Sequence, residues 1–582
     1  MKFFRRNWQY FALAFILFLG FFLRTYSLQE TVVQTDDGEL ITYSQVPPGV
    51  YPDEAKNAND AIETLQTGEY KIFYPENNGR EGLWMWLIAL SFKYFGISVF
   101  SLKLVSALAG TLAILGTYLL TKEIFRFSHQ YHISGELGAA HMAQETIALF
   151  SAGLMATSFW HINFSRIAFR AIMVPLLLSL GLYFTLRAIR TKKLLDSIIA
   201  GVIWGIGLYT YIAFRLAPAI PVFVVLFSFG IYLWHSQPRP SLAWLKKVFI
   251  NSGWWKILMM GVAFVATALP LILTFLKNPD TFVSRSGGIS VFDTDNFFLL
   301  EFLKSLAVHL QMLVYRGDLN WRHNLSGEPQ LFWPVGILFL LGLAYSGKYI
   351  ISSWRQKHWP TLTVHLTLLV SCGVMILPAA LTIEGIPHAL RAIGLMPFVF
   401  IYAGLGFLFV IKIIFPHKEH RSEIWSFASV VGIIIIMLLT SYQYTNYFIN
   451  WGQNEEVEGA FNTRDNKIGQ YFNEIPDEVD KYLIVNLGGV PVSYPESLVA
   501  ESNTEGLLPM SAQSVLFIQQ TKEVPPKNTK YITLGELPKN IENASVFIPL
   551  KADAETQDKL RKMYPGGIGV EFEYFWVYHV IF

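Results

Sequence analysis

The sequence predicts an α-helical polytopic membrane protein, with about 11 transmembrane helices and a small C-terminal α/β domain, and three observations predict it. Hydrophobic residues make up 53% of the 582 and charged residues only 15%, which is too apolar for a soluble multidomain chain. Apolar runs long enough to cross a bilayer core recur up to about residue 442. Beyond residue 446 the composition turns polar, and short β-like runs alternate with helical patterns.

The formal net charge of +2 offers no electrostatic footprint for nucleic acid. Charge must therefore inform locally. The one cysteine, Cys372, lies in an apolar run, which excludes a disulfide framework within the chain and a cysteine-based metal site.

Met1 to Leu28 has the basic start and apolar run of a signal sequence, but Arg24 closes it without a small-residue cleavage site. It is expected to remain as a signal anchor. Further spans are expected at about 99–121, 145–161, 169–187, 198–213, 216–234, 254–276, 331–347, 361–382, 392–415 and 424–442, after a first at about 8–24.

The run Leu83 to Phe95 is shorter, the length of an interfacial or re-entrant helix. The positive-inside rule tests it, because one extra span inverts every later loop. If it does not cross, Lys2, Arg5 and Arg6 share a side with Lys122 and Arg126, with Arg187, Arg190, Lys192 and Lys193, and with the later basic clusters. It is therefore expected to lie along the outer interface, with Trp84 and Trp86 at headgroup depth. The domains then read as 1–446, the membrane domain, and 447–582, an extracytoplasmic α/β domain. Within the first, 25–98 forms an external loop and 277–330 a second external loop and candidate lid.

The polar chemistry collects on that outer side. Asp53 and Glu54 follow Pro52 and precede a helical stripe of Ala55, Ala58, Ile62 and Leu65. Asp53 reads as a helix cap, which stabilises by about 0.5–2 kcal/mol, or as a carboxylate aimed by that helix. Arg80 and Glu81 open the short helix, where Glu81 also suits a helix start.

Arg166 and Arg170 stand four apart in an outer turn beginning at His161, so a helical start would put both on one face. Guanidiniums there suit a phosphate, bound bidentately, or simple snorkelling to lipid. Arg215, Glu384, His388 and Arg391 are external as well. Arg285, Arg316, Arg322 and His323 lie in the second loop, as a lid or as solvated surface. His129, His132 and His141, on the opposite side, lack the spacing of a zinc motif.

Three stretches carry a resemblance: Tyr51-Pro52-Asp53-Glu54-Ala55, Asn78-Gly79-Arg80-Glu81-Gly82 running on to Trp86, and Gly96 to Gly110. Together with His161 to Arg170 and Pro387-His388-Ala389-Leu390-Arg391, their order resembles the GT-C membrane glycosyltransferases. Within these it is most similar to glycosyltransferase family 39, which holds protein O-mannosyltransferases and lipid A aminoarabinose transferases. The likeness in layout covers most of residues 1–442.

The resemblance implies a hexosyl- or pentosyltransferase of a prokaryotic plasma membrane. It would move one sugar, with inversion, from a polyprenyl-phosphate donor to a protein, lipid or glycan acceptor on the external face. Carried across by motif, Asp53 is the candidate base, with Glu54 and Glu81 beside it. Arg80, Arg166, Arg170, Arg215, His388 and Arg391 are candidates for the donor phosphate, and His161, His323 and Glu384 are further candidates. Some relatives use the second acid for a metal, so a divalent ion is a candidate cofactor, with Glu54 or Glu81 as ligand. The chain departs from the family pattern at Gly82-Leu83, where a proline pair often follows.

Two other functions compete. A transporter or flippase of a lipid-linked sugar would place binding groups near the bilayer midplane, whereas the span cores here are nearly free of charge. A non-catalytic scaffold would not need the acids of the first loop.

Overall fold

The computed structural model describes residues 2–34, 40–128, 137–235, 244, 249–250, 252–283, 290–292, 297–416, 421–494, 501–502, 507–526 and 529–581. Arg285, His129 and His132 lie outside them. The chain divides into two compact units: one of Met1–Tyr26, Ser106–Ser165 and Arg170–Tyr447, the other of Ser27–Val105, Arg166–Phe169 and Phe448–Phe582.

The helices in chain order are α1 (Lys2–Thr25), α2 (Pro52–Thr67), α3 (Leu83–Phe95), α4 (Val99–Ser128), α5 (Leu137–Thr157), α6 (Phe159–Phe164), α7 (Met173–Thr191), α8 (Leu194–Gly207), α9 (Ala219–His235) and α10 (Trp254–Lys277). They continue with α11 (Phe298–Val314), α12 (Trp333–Gln356), α13 (Trp359–Ala380), α14 (Met396–Ile414), α15 (Ser422–Tyr444), α16 (Glu455–Ala460), α17 (Thr463–Glu474), α18 (Ala512–Gln520) and α19 (Ala554–Met563).

Among the described residues, 9 helices are long and apolar enough to cross a membrane, and the chain is an integral membrane protein. The count falls short of the expected eleven at two places. Helix α5 begins with His141, Gln144 and Glu145, which dilute its apolar run. Helix α8 has only 14 residues, too few to span alone. The run Leu83–Phe95, in contrast, forms a helix with the expected bounds.

In the first unit, α12 and α14 approach at backbone distance. A Cβ added at Gly342 would lie 1.8 Å from the Tyr402 carbonyl oxygen, and one added at Gly406 would lie 1.9 Å from that of Leu338. Small residues permit such approach, which is how apolar helices associate when lipid is no less apolar than their side chains.

The second unit joins the first long loop to the C-terminal residues. Three strand pairs, β1 (Thr31–Gln34) with β2 (Leu40–Tyr43), β3 (Phe73–Tyr74) with β4 (Arg80–Glu81), and β6 (Pro491–Ser493) with β8 (Leu507–Pro509), accompany a larger sheet of β5 (Asp480–Ile484), β7 (Glu501–Ser502), β9 (Thr529–Ile532), β10 (Ser545–Pro549), β11 (Ile568–Glu571) and β12 (Trp576–Val580), in the order β11-β12-β10-β5-β9-β7. Strands β10, β5, β9 and β7 run parallel, and β12 and β11 complete an antiparallel edge. Alternation sorts the side chains. Leu483 and Ile548 pack under Ile468 of α17 and Leu516 of α18, while Tyr482, Ile484 and Phe547 face Leu560 of α19.

The loop segments are held into this unit by polar contacts. The Asn466 side chain accepts from the Val50 N–H at 3.1 Å, and Asn59 of α2 donates to Gln513 of α18 at 2.9 Å. This lets so polar a helix be buried along most of its length.

Candidate functional site

In the second unit, the site is built at the start of α2. Pro52 occupies the first helical turn, where a missing N–H costs nothing. Glu54 then turns back: its Oε1 accepts the Tyr51 N–H at 3.1 Å, and its Oε2 accepts the Ala168 N–H at 2.8 Å. The capping residue is therefore Glu54, buried and committed through both oxygens, and not Asp53.

Asp53 has another partner. Its Oδ1 accepts from the Asn77 side-chain amide at 2.6 Å, and the residue remains partly exposed. Asn77 and Asn78 have φ of 50° and 62°, a left-handed conformation that asparagine tolerates. They turn the chain between β3 (Phe73–Tyr74) and β4 (Arg80–Glu81) and deliver the amide to the carboxylate.

Arg80 is not an unengaged cation. Its Nη2 meets Asp60 at 2.7 Å, and Lys56 meets the same carboxylate at 2.6 Å; Nη1 donates to Asn57 at 3.0 Å. Sequence reading missed Lys56 and Asp60, although their separation of four on a helix is an ion-pair signal. Glu81 is buried in β4. Gly82 follows it because a Cβ there would lie 2.0 Å from the Lys71 carbonyl oxygen, which gives a local reason for glycine where the family pattern has proline.

Trp84 is buried, contrary to a headgroup position, and donates to the Ala168 carbonyl at 3.0 Å. Trp86 donates to the Lys71 carbonyl at 2.9 Å. Arg166 lies in a turn, so the helical pairing expected with Arg170 does not form. Its guanidinium donates to the Val46 carbonyl at 2.6 Å and lies 4.8 Å from the Phe448 ring. Lys103, also overlooked in the sequence, donates to the Gly49 carbonyl at 2.8 Å.

In the first unit, Arg170 begins a short 3-10 turn and stacks on Tyr211. Arg215 donates to the Phe282 carbonyl at 2.6 Å and stacks on Phe275 and Phe282. Arg24, fully buried, donates to the Gly20 and Ala156 carbonyls and to His161 Nδ1 at 2.5 Å. Burial and that guanidinium hold His161 well below the usual imidazole range.

The two histidines of the later turns come together. Asp318 Oδ2 accepts from His323 Nδ1 at 3.0 Å and from the Ala389 N–H at 2.8 Å, and the His323 and His388 rings lie 4.7 Å apart. The His388 N–H donates to His309 Nε2 at 3.1 Å. Burial lowers both the His323 and His388 rings below the usual imidazole range. Nearby, Arg391 pairs with Glu384 at 3.1 Å. Asp318 was not singled out in the sequence, although an Asp two residues before an Asn is a turn signal; its Oδ1 accepts the Asn320 N–H at 2.8 Å.

An apolar groove of about 610 Å³ runs along α1, α5 and α15, lined by Phe15, Leu19, Leu149, Ile433 and Ile436 among others. No acid or base lines it.

No protein-family model matches the chain, and no curated protein matches it. Solved structures do. The oligosaccharyltransferase of Archaeoglobus fulgidus in the apo form aligns with 93% of this chain at 15% identity and a TM-score of 0.50. This chain spans 66% of that one, less than two thirds of its length. ArnT from Cupriavidus metallidurans in the apo state aligns over 99% of this chain and 98% of its own, at 11% identity and a TM-score of 0.50. At these identities the likeness shows a shared fold, the GT-C architecture.

Proposed function

We propose that the protein is a membrane glycosyltransferase that moves one sugar from a polyprenyl-phosphate donor to an acceptor on the external face, with inversion at the anomeric carbon. The observation that carries this reading is the state of Asp53. Among the acids at the start of α2, Glu54 is committed to two backbone N–H groups and Asp60 to two cations, while Asp53 is oriented by one amide and stays partly exposed. A base must be both aimed and accessible. The shared fold agrees, since one protein that has it is named an oligosaccharyltransferase.

In the reaction, the acceptor hydroxyl gives its proton to Asp53 as its oxygen bonds to the anomeric carbon. The bond from that carbon to the phosphate oxygen breaks, and lipid phosphate leaves with the electron pair. Cations that stabilise the developing phosphate charge remove the need for an acid. Arg80 and Arg166 are poorly suited to that role, because they already serve Asp60 and the loop backbone. The groove beside α1 suits an isoprenoid tail by its apolar lining.

The test is transfer by purified protein in lipid, from a panel of polyprenyl-phosphate sugars to hydroxyl acceptors. Consumption of a donor by the wild type, and its loss in Asp53→Asn with the fold intact, is expected. Donor that crosses the bilayer unconsumed would replace this reading with transport.

A further inference from the structure

We infer that Asp318, His323 and His388 form a binding site for a transition-metal dication of the zinc class, tying the loop after α11 to the turn after α13. Each residue offers one ligand atom, and the three atoms lie within 4.8 Å of one another. Tetrahedral zinc bonds of about 2.0–2.2 Å to nitrogen and oxygen place ligand atoms roughly 3.3–3.6 Å apart, within the span that holds these three. Two imidazoles and one carboxylate favour zinc over magnesium or calcium, which take oxygen ligands.

A second observation is independent of the clustering. His388 Nδ1 is buried and has no hydrogen-bond partner among the described residues, and such a nitrogen is costly unless something binds it. The surrounding shell is built as metal sites are: Asp318 is fixed by the N–H groups of Asn320 and Ala389. The backbone of His388 is anchored on His309, whose Nδ1 donates to the Ser305 carbonyl at 2.7 Å. The positive charge of Arg391 is offset by Glu384, so a dication would meet the Asp318 carboxylate without that cation unopposed.

The set contains neither Glu54 nor Glu81, the acids that the sequence offered for a metal, and it does not depend on the transferase reading. Because its ligands come from segments about 65 residues apart in sequence, it would act as a cross-link, gaining stability through the folded state alone.

The experiment uses full-length protein in detergent, stripped with a chelator, incubated with zinc chloride alone, desalted, and assayed for metal by mass spectrometry. One zinc per chain should be retained by the wild type and by His141→Ala, a control at an exposed histidine. It should be lost in His388→Ala, which sacrifices no hydrogen bond of the ring Nδ1, and in Asp318→Asn. Cobalt in place of zinc should give a visible ligand-field band in the wild type that His388→Ala lacks. Elution volume and helical circular dichroism report folding. Failure of the wild type to retain zinc, or equal retention by folded His388→Ala, overturns the site.

Discussion

The side-chain amide of Asn77 donates to the Asp53 carboxylate across 2.6 Å, joining the turn between β3 and β4 to the first turn of α2. This is the contact that aims the proposed base. Asn77→Ala is expected to lower kcat by about tenfold to a hundredfold through misplacement, with little change in donor KM. Asp53→Asn should cost about 10²–10⁴-fold. A kcat unaffected by Asn77→Ala would separate the amide from the chemistry.

Asp60 balances two buried cations, Lys56 and Arg80, each with a side chain 2% exposed. Removing the shared carboxylate takes from Arg80 its ion-pair partner and leaves Lys56 with Glu76 alone, at 3.2 Å. Asp60→Asn should destabilise the protein by about 3–5 kcal/mol, read from urea unfolding in detergent. The double replacement of Lys56 and Asp60 by apolar residues should cost less than Asp60→Asn alone.

Acid should weaken the fold through His161. Its imidazole is held below the usual range by burial and by Arg24, so the unfolded chain binds the proton first as pH falls below the ordinary histidine value of about 6.5. The stabilisation is present above that pH and is lost beneath it. A Tm series from pH 8 to pH 5 should fall more steeply for the wild type than for His161→Gln.

The orientation of the chain is testable at exposed positions. Glu69 lies after α2 and Lys193 between α7 and α8, and both are exposed. In intact cells, a membrane-impermeant maleimide is expected to react with Glu69→Cys and not with Lys193→Cys, each on a Cys372→Ser background. Reaction at Lys193→Cys would invert the topology.

What was legible in the sequence followed local periodicity. Leu83–Phe95 appears with its expected ends, and the runs read as strands near Tyr482 and Ser545 are β5 and β10. Membrane spans were readable where apolar length was uninterrupted, and less so at α5, where polar residues of one end face partners within the protein. Glu145, for example, takes Lys122 at 2.6 Å. The acids of the first loop could be found but not ranked. Which carboxylate caps and which stays accessible depends on Ala168, 114 positions from Glu54. The role of Asp318 was unreadable for the same reason, since its partner Ala389 is 71 positions away.

The seam between α12 and α14 has a consequence for how this sequence can change. With Gly342 and Gly406 each facing a carbonyl oxygen closer than 2 Å to any added Cβ, neither position admits even one methyl group unless the helices part. Parting them would move the start of α14 and, with it, the turn that carries His388 and Arg391. The two glycines thus make a membrane-buried seam into a constraint on the polar turn, and variation there has to be concerted across two helices rather than accumulated one residue at a time.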